Sequence, residues 1–120
     1  MTGESAFKMR IYSGFHTDIG KVRSRNEDAL YQTRVPLGYM AAVADGMGGH
    51  DHGDTAAAIT LVSIANDVEK EHDDPAEAIR RGFRAANEAL RIESARMGVT
   101  MGATCCLALI HNGNLHVGHV

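Results

Sequence analysis

Residues 39–44, YMAAVA, are apolar at every position, and Asp45 halts the run before three glycines, Gly46, Gly48 and Gly49. A strand that is apolar on both alternating faces needs cover on both sides, which points to a fold built of packed layers. Glycine packs no side chain and favours turns, so regular structure is expected to end at Asp45.

The rest of the chain supplies candidate layers. Residues 9–14 (MRIYSG) and 29–34 read as short strands, the second closed by Pro36 and Gly38. A helix is expected to begin near Asp54 or Thr55, because Ala58, Leu61, Val62, Ala65 and Val68 recur three and four apart as one apolar stripe. The acidic turn EHDD (71–74) precedes a second helix. Its opening, Asp74-Pro75-Ala76-Glu77, combines an N-cap acceptor, a proline at the first helical position and a carboxylate at the third. This helix buries Ile79, Phe83, Ala86 and Leu90 and keeps Arg80, Arg81, Arg84, Arg91 and Arg96 wet. Residues 97–104 (MGVTMGAT) read as a loop entering a strand at 105–110 (CCLALI). His111-Asn112-Gly113-Asn114 then reverses the chain, Asn-Gly being a strong hairpin signal, into a last strand, LHVGHV. Strands, two helices and a hairpin in that order indicate an α+β fold rather than alternating βαβ units.

Composition narrows the functional classes. The 120 residues suffice for one domain, with 44% apolar and 22% charged residues, a soluble globular balance. A formal net charge of -3 gives no general attraction to nucleic acid or anionic membranes. No apolar run is long enough to span a bilayer, and the first residues lack the apolar segment of a secretion signal. Cys105 and Cys106 are neighbours that point to opposite faces of a strand, with no third cysteine to pair with. We therefore expect a cytoplasmic protein with neither nucleic-acid nor membrane partners.

Two segments hold the residues suited to chemistry. Arg23 and Arg25 flank Ser24, and a guanidinium fork matches phosphate oxygens, although such arginines are as often surface decoration. Glu27 and Asp28 are adjacent, so on extended backbone they face different partners. Asp45 follows a buried strand, where it is held rigidly yet reaches solvent, or else simply caps a turn. Oxygen donors from Glu27, Asp28 and Asp45, with a Gly46 carbonyl, are the hard ligands that Mg²⁺ or Mn²⁺ prefers. The set is short of a full shell, and a further carboxylate is expected. His50 and His52, beside Asp51 and Asp54, have no third soft ligand and read as a solvated turn. His16 near Asp18 and the trio His111, His116 and His119 read as surface residues. The chain has no GxSxG, HExxH or GxxxxGK[ST] pattern, and DGMGG lacks the GxGxxG of a dinucleotide loop.

Three segments in order, SGFHTDIGKVRSRNEDA (13–29), MAAVADGMGGHDHGD (40–54) and MGATCCLALIHNGNLHVGHV (101–120), resemble the metal-dependent PP2C-type serine/threonine protein phosphatases in their bacterial form. The resemblance spans residues 11–120 and leaves 1–10 as a tail and the start of the first strand. It implies a layered sandwich of two antiparallel sheets flanked by helices, with both helices read here on one side. It also implies hydrolysis of phosphoserine and phosphothreonine esters by a water activated between two Mg²⁺ or Mn²⁺ ions, with a third ion left open. By resemblance, Arg23 binds phosphate, Glu27 reaches one metal through water, and Asp28 positions a metal-bound water. Asp45 bridges the two metals, and Gly46 offers its carbonyl. Met47 stands where the animal-type pattern has a proton-donating histidine. Implied partners are phosphoproteins, opposing a serine/threonine kinase, for a protein that is monomeric when complete. The family pattern continues with a Gly-Asp-Ser-Arg segment and two later metal-binding aspartates. The chain is accordingly expected to represent the N-terminal part of the domain, and to be poorly folded or inactive alone. The alternative is a catalytically inactive relative that serves as a binding or regulatory module; the presence of Arg23, Glu27, Asp28 and Asp45 favours the enzyme.

Overall fold

In the computed structural model, which describes residues 9–49, 52–70 and 74–120, an antiparallel sheet carries two helices on one of its faces. The elements are β1 (Asp28–Val35), β2 (Gly38–Gly48), α1 (Gly53–Val68), α2 (Pro75–Met97), β3 (Met101–His111) and β4 (Asn114–His119). The four strands lie side by side in the order β1-β2-β3-β4. The helices pack on each other, α1 across β1, β2 and β3, and α2 across β3 and β4. This is the α+β arrangement expected, with both helices together on one side.

Side-chain alternation divides the sheet. Met40, Ala42 and Ala44 of β2 and Cys105, Leu107 and Leu109 of β3 point at the helices and are buried with Ala57, Ile64, Val68, Ile79 and Ala86. Their β2 neighbour Val43 is 56% exposed, and Leu115 and Val117 of β4 are exposed as well. Cover on both faces of residues 39–44 is thus met on one face only among the described residues. Cys105 and Cys106 divide in the same way, the first buried and the second exposed.

Four expectations are corrected. Strand β2 does not end at Asp45: Gly46, Met47 and Gly48 stay in the ladder opposite Ala103, Gly102 and Met101. The reason is close approach. A β-carbon on Gly46 would lie 1.8 Å from the Gly53 carbonyl oxygen, so the glycine lets α1 start directly against the strand. The same pairing draws residues 101–104 out of the expected loop and into β3. On α1, Ala58 and Val62 face outward, and the buried stripe is Ala57, Leu61, Ile64, Ala65 and Val68. This helix is apolar over most of its circumference, so spacing alone could not fix its rotation. Residues 9–14 form no strand. A strand needs a paired neighbour, and among the described residues this segment joins no ladder; Ser13 meets the Tyr39 hydroxyl at 2.9 Å instead.

Helix α2 follows its sequence closely. Asp74 is the N-cap and accepts from the Ala76 N–H at 3.2 Å, and Gly98 closes the helix in the left-handed region at φ 67°. Its arginines lie outside: Arg80 and Arg84 pair with Glu77, Arg91 with Glu88 and Arg96 with Glu93. Phe83 is half-buried and packs against the core, beside the buried Ile79 and Ala86. The β3–β4 turn has Asn112 and Gly113 at φ 49° and 78°, as an Asn-Gly hairpin requires. His111 is more than decoration, since its Nδ1 lies 2.6 Å from the Leu37 carbonyl and links the β3–β4 turn to the β1–β2 turn. His50 and Asp51, and most of the EHDD turn, lie outside the described residues. No helix among the described residues is long and apolar enough to cross a membrane.

Candidate metal and phosphate site

The loop entering β1 is tied by its own short polar side chains. Asp18 accepts from the Gly20 N–H at 2.7 Å, across a turn that needs the positive φ of Gly20 (81°). Asn26 donates to Thr17 at 2.8 Å and accepts from the Asp28 N–H at 3.0 Å, so it fixes where the strand begins. The Gly46 N–H donates to the Glu27 carbonyl at 2.9 Å, which extends the ladder one residue upstream of β1.

Asp28 and Asp45 are the next pair and stand directly opposite each other. Hydrogen-bonded and non-bonded pairs alternate in an antiparallel ladder, so this is the narrower kind, with Cα atoms about 4.5 Å apart. Two like charges opposed on one face repel. A cation between them would reverse the sign of that interaction.

Asp28 and Asp45 form one wall of a cleft of about 200 Å³, whose other lining residues are Asp18, Ile19, Arg23, Arg25, Asn26 and Glu27. The structure therefore brings together Arg23, Glu27, Asp28 and Asp45. Arg25 reaches Asp54 at 4.0 Å, which fastens the loop to the first turn of α1 and separates its role from that of Arg23. The adjacent acids divide as extended backbone requires. Asp28 lies on the open face, whereas Glu27 turns toward the helix side. There the Glu27 Oε2 and the Gly46 carbonyl oxygen converge at the start of α1, 2.1 and 2.7 Å from the point where a Gly53 β-carbon would stand.

The donors are all oxygen and so fit a hard divalent cation in kind. In number they fall short: among the described residues, no group of three or more His, Cys, Asp or Glu side chains is placed to hold a metal.

Some lining residues were not foreseen. Thr104 pairs with Asp45 across β2 and β3, and His119 pairs with Cys106 across β3 and β4. Together with His16 they line a second cavity of about 360 Å³ that shares Asp28 and Asp45 with the cleft. Only the strand register discloses them, and sequence spacing does not carry the β2–β3 register. His16 lies 3.9 Å from Asp18, as a surface pair.

The family model for protein phosphatase 2C matches residues 20–120. Among curated proteins, the chain is 31% identical over 107 residues to the serine/threonine protein phosphatase PstP of Mycobacterium tuberculosis, a match covering 87% of this chain and 20% of that protein. Among solved structures, the catalytic domain of PstP in complex with two manganese ions superposes with a TM-score of 0.75 at 28% identity. That match covers 88% of this chain and 45% of the other. The serine/threonine phosphatase of S. agalactiae gives 0.69 at 29% identity, covering 88% of this chain and 46% of the other. The chain thus spans about a fifth of the curated relative and less than half of these solved chains.

Proposed function

This chain belongs to the protein phosphatase 2C family, and on that premise we propose that it supplies the phosphate site and the first metal ligands of a serine/threonine protein phosphatase. The observation that carries this reading is the cleft in which Arg23 faces Asp28 and Asp45, two aspartates opposed across a strand pair. Opposed carboxylates beside an arginine suit a cation and a phosphoryl group held together.

In this reading the substrate is a phosphoserine or phosphothreonine of a protein. Arg23 grips the phosphoryl oxygens through its planar fork and fixes the phosphorus relative to the carboxylates. Asp45 and the Gly46 carbonyl would hold two Mg²⁺ or Mn²⁺ ions from this side, and Glu27 would reach one of them through water. When bound, two such ions lower the pKa of a water between them and neutralise charge on the phosphoryl group. Asp28 accepts a hydrogen bond from the attacking water and aims it at phosphorus. Met47, on the same face two residues beyond Asp45, has no proton to give to the leaving oxygen. By the same reading, the 120-residue chain needs further ligands and is inactive by itself.

The test is hydrolysis of a phosphothreonine peptide by the full-length protein containing this chain, with EDTA and after return of Mn²⁺. Activity that vanishes on chelation and returns with Mn²⁺ supports the reading. Undiminished turnover after thorough chelation refutes it.

A further inference from the structure

Gly53 is the first residue of α1, and its backbone gives no reason for glycine. It is helical, and it is not among the residues at positive φ, unlike Gly20, Gly98 and Gly113. Alanine is the better helix former at an ordinary helical position. What the site lacks is room. A β-carbon there would fall 2.1 Å from the Glu27 Oε2, 2.6 Å from the Glu27 Cδ and 2.7 Å from the Gly46 carbonyl oxygen.

We infer that Gly53 is a positioning residue of the metal site, its missing side chain being the space in which the Glu27 carboxylate and the Gly46 carbonyl stand. The inference rests on the reading of Glu27 and Gly46 as metal-side groups. Gly46 and Gly53 touch, yet they differ in what a side chain would displace. At Gly46 the nearest atoms are all backbone, namely the Gly53 carbonyl oxygen and carbon and the Ala57 nitrogen, so a side chain there would force the helix off the strand. At Gly53 the two nearest atoms belong to the end of a flexible carboxylate, which can swing away, and only the third, the Gly46 carbonyl oxygen, is backbone. A methyl group at 53 therefore moves the Glu27 carboxylate first, and the Gly46 carbonyl oxygen must also give by a few tenths of an ångström, whereas at Gly46 the clash is with helix backbone alone. Gly49, in the same glycine-rich stretch, has open space around it and serves as the control.

The experiment is Mn²⁺ calorimetry on the full-length protein, together with the melting temperature of the metal-free form, for wild type, Gly53→Ala, Glu27→Asp, the double variant and Gly49→Ala. Displacing a group that orients a metal site costs roughly 10- to 100-fold in affinity, and Gly53→Ala is expected to weaken Mn²⁺ binding by that much. Its metal-free form should still melt in one cooperative transition, because most of the clash falls on a movable side chain. Shortening the displaced side chain makes room, so Glu27→Asp should restore part of the binding in the Gly53→Ala background while weakening it in wild type. Gly49→Ala should bind as wild type does. Wild-type Mn²⁺ affinity in Gly53→Ala overturns the inference, as does a loss that Glu27→Asp leaves unrelieved. So does a Gly53→Ala protein that fails to fold, because the contact with backbone would then dominate. If wild type itself binds no Mn²⁺, the reading of the site fails rather than the role of Gly53.

Discussion

The two faces of the sheet contrast sharply. Toward the helices, Met40, Leu107 and Leu109 are fully buried and every second position of β2 is small or apolar. Away from them, Val43, Leu115 and Val117 are more than half exposed, and the same face carries Asp28 and Asp45. The closed face explains why these elements pack, and the open face carries the aspartates to which we assign the chemistry. Its apolar strip extends inward from the acids, which suits a sheet with a second layer over most of its area and the site at the margin.

Substitutions on each face can break that contrast. Leu107→Ala on the closed face should cost about 2–5 kcal/mol in the full-length protein, measured by denaturant unfolding, because the helices leave it no room to relax. A loss below about 1 kcal/mol would mean that the helical layer is not seated there. Val43→Thr on the open face is the sharper probe, since it adds a hydroxyl at nearly constant volume. If the face stays open, the cost is within about 0.5 kcal/mol. If a second layer covers it in the full-length protein, as we propose, the cost is about 1–3 kcal/mol.

The neighbouring cysteines make the smallest test. Burial pushes the Cys105 thiol up to about 11, with a lesser push from Cys106. Alkylation at about pH 8 should modify the exposed Cys106 before the buried Cys105, and equal labelling would contradict the two-faced sheet. The linkage has a definite sign. Between the ordinary thiol value of 9.0 and about 11, the folded chain keeps a proton that the unfolded chain gives up, so stability declines as pH rises through that window.

Much of this was legible in the residues, for local reasons. The Asp-Pro opening of α2 and the Asn-Gly hairpin act within a few residues, and both stand where the sequence places them. The glycines after Asp45 misled because their purpose is not local. Gly46 is required by a helix that crosses it, a contact that propensity does not express. The apolar character of α1 concealed its orientation, and residues 9–14 have strand-like composition with no paired strand among the described residues. At the site, the family resemblance singled out Arg23, Glu27, Asp28, Asp45 and Gly46, and the first four line one cleft. The opposition of Asp28 to Asp45, and the presence of Thr104 and His119 nearby, depend on register and needed the folded sheet.

The central claim, proposed above, is that Asp45 would hold the metal ions while Asp28, directly opposite, aims the water. Asp45→Asn in the full-length protein tests it most directly, by Mn²⁺ calorimetry and by the melting temperature of the metal-free form. Removing one of two opposed charges should abolish most Mn²⁺ binding while leaving the metal-free protein equally or slightly more stable. Wild-type Mn²⁺ affinity in that variant would contradict the account.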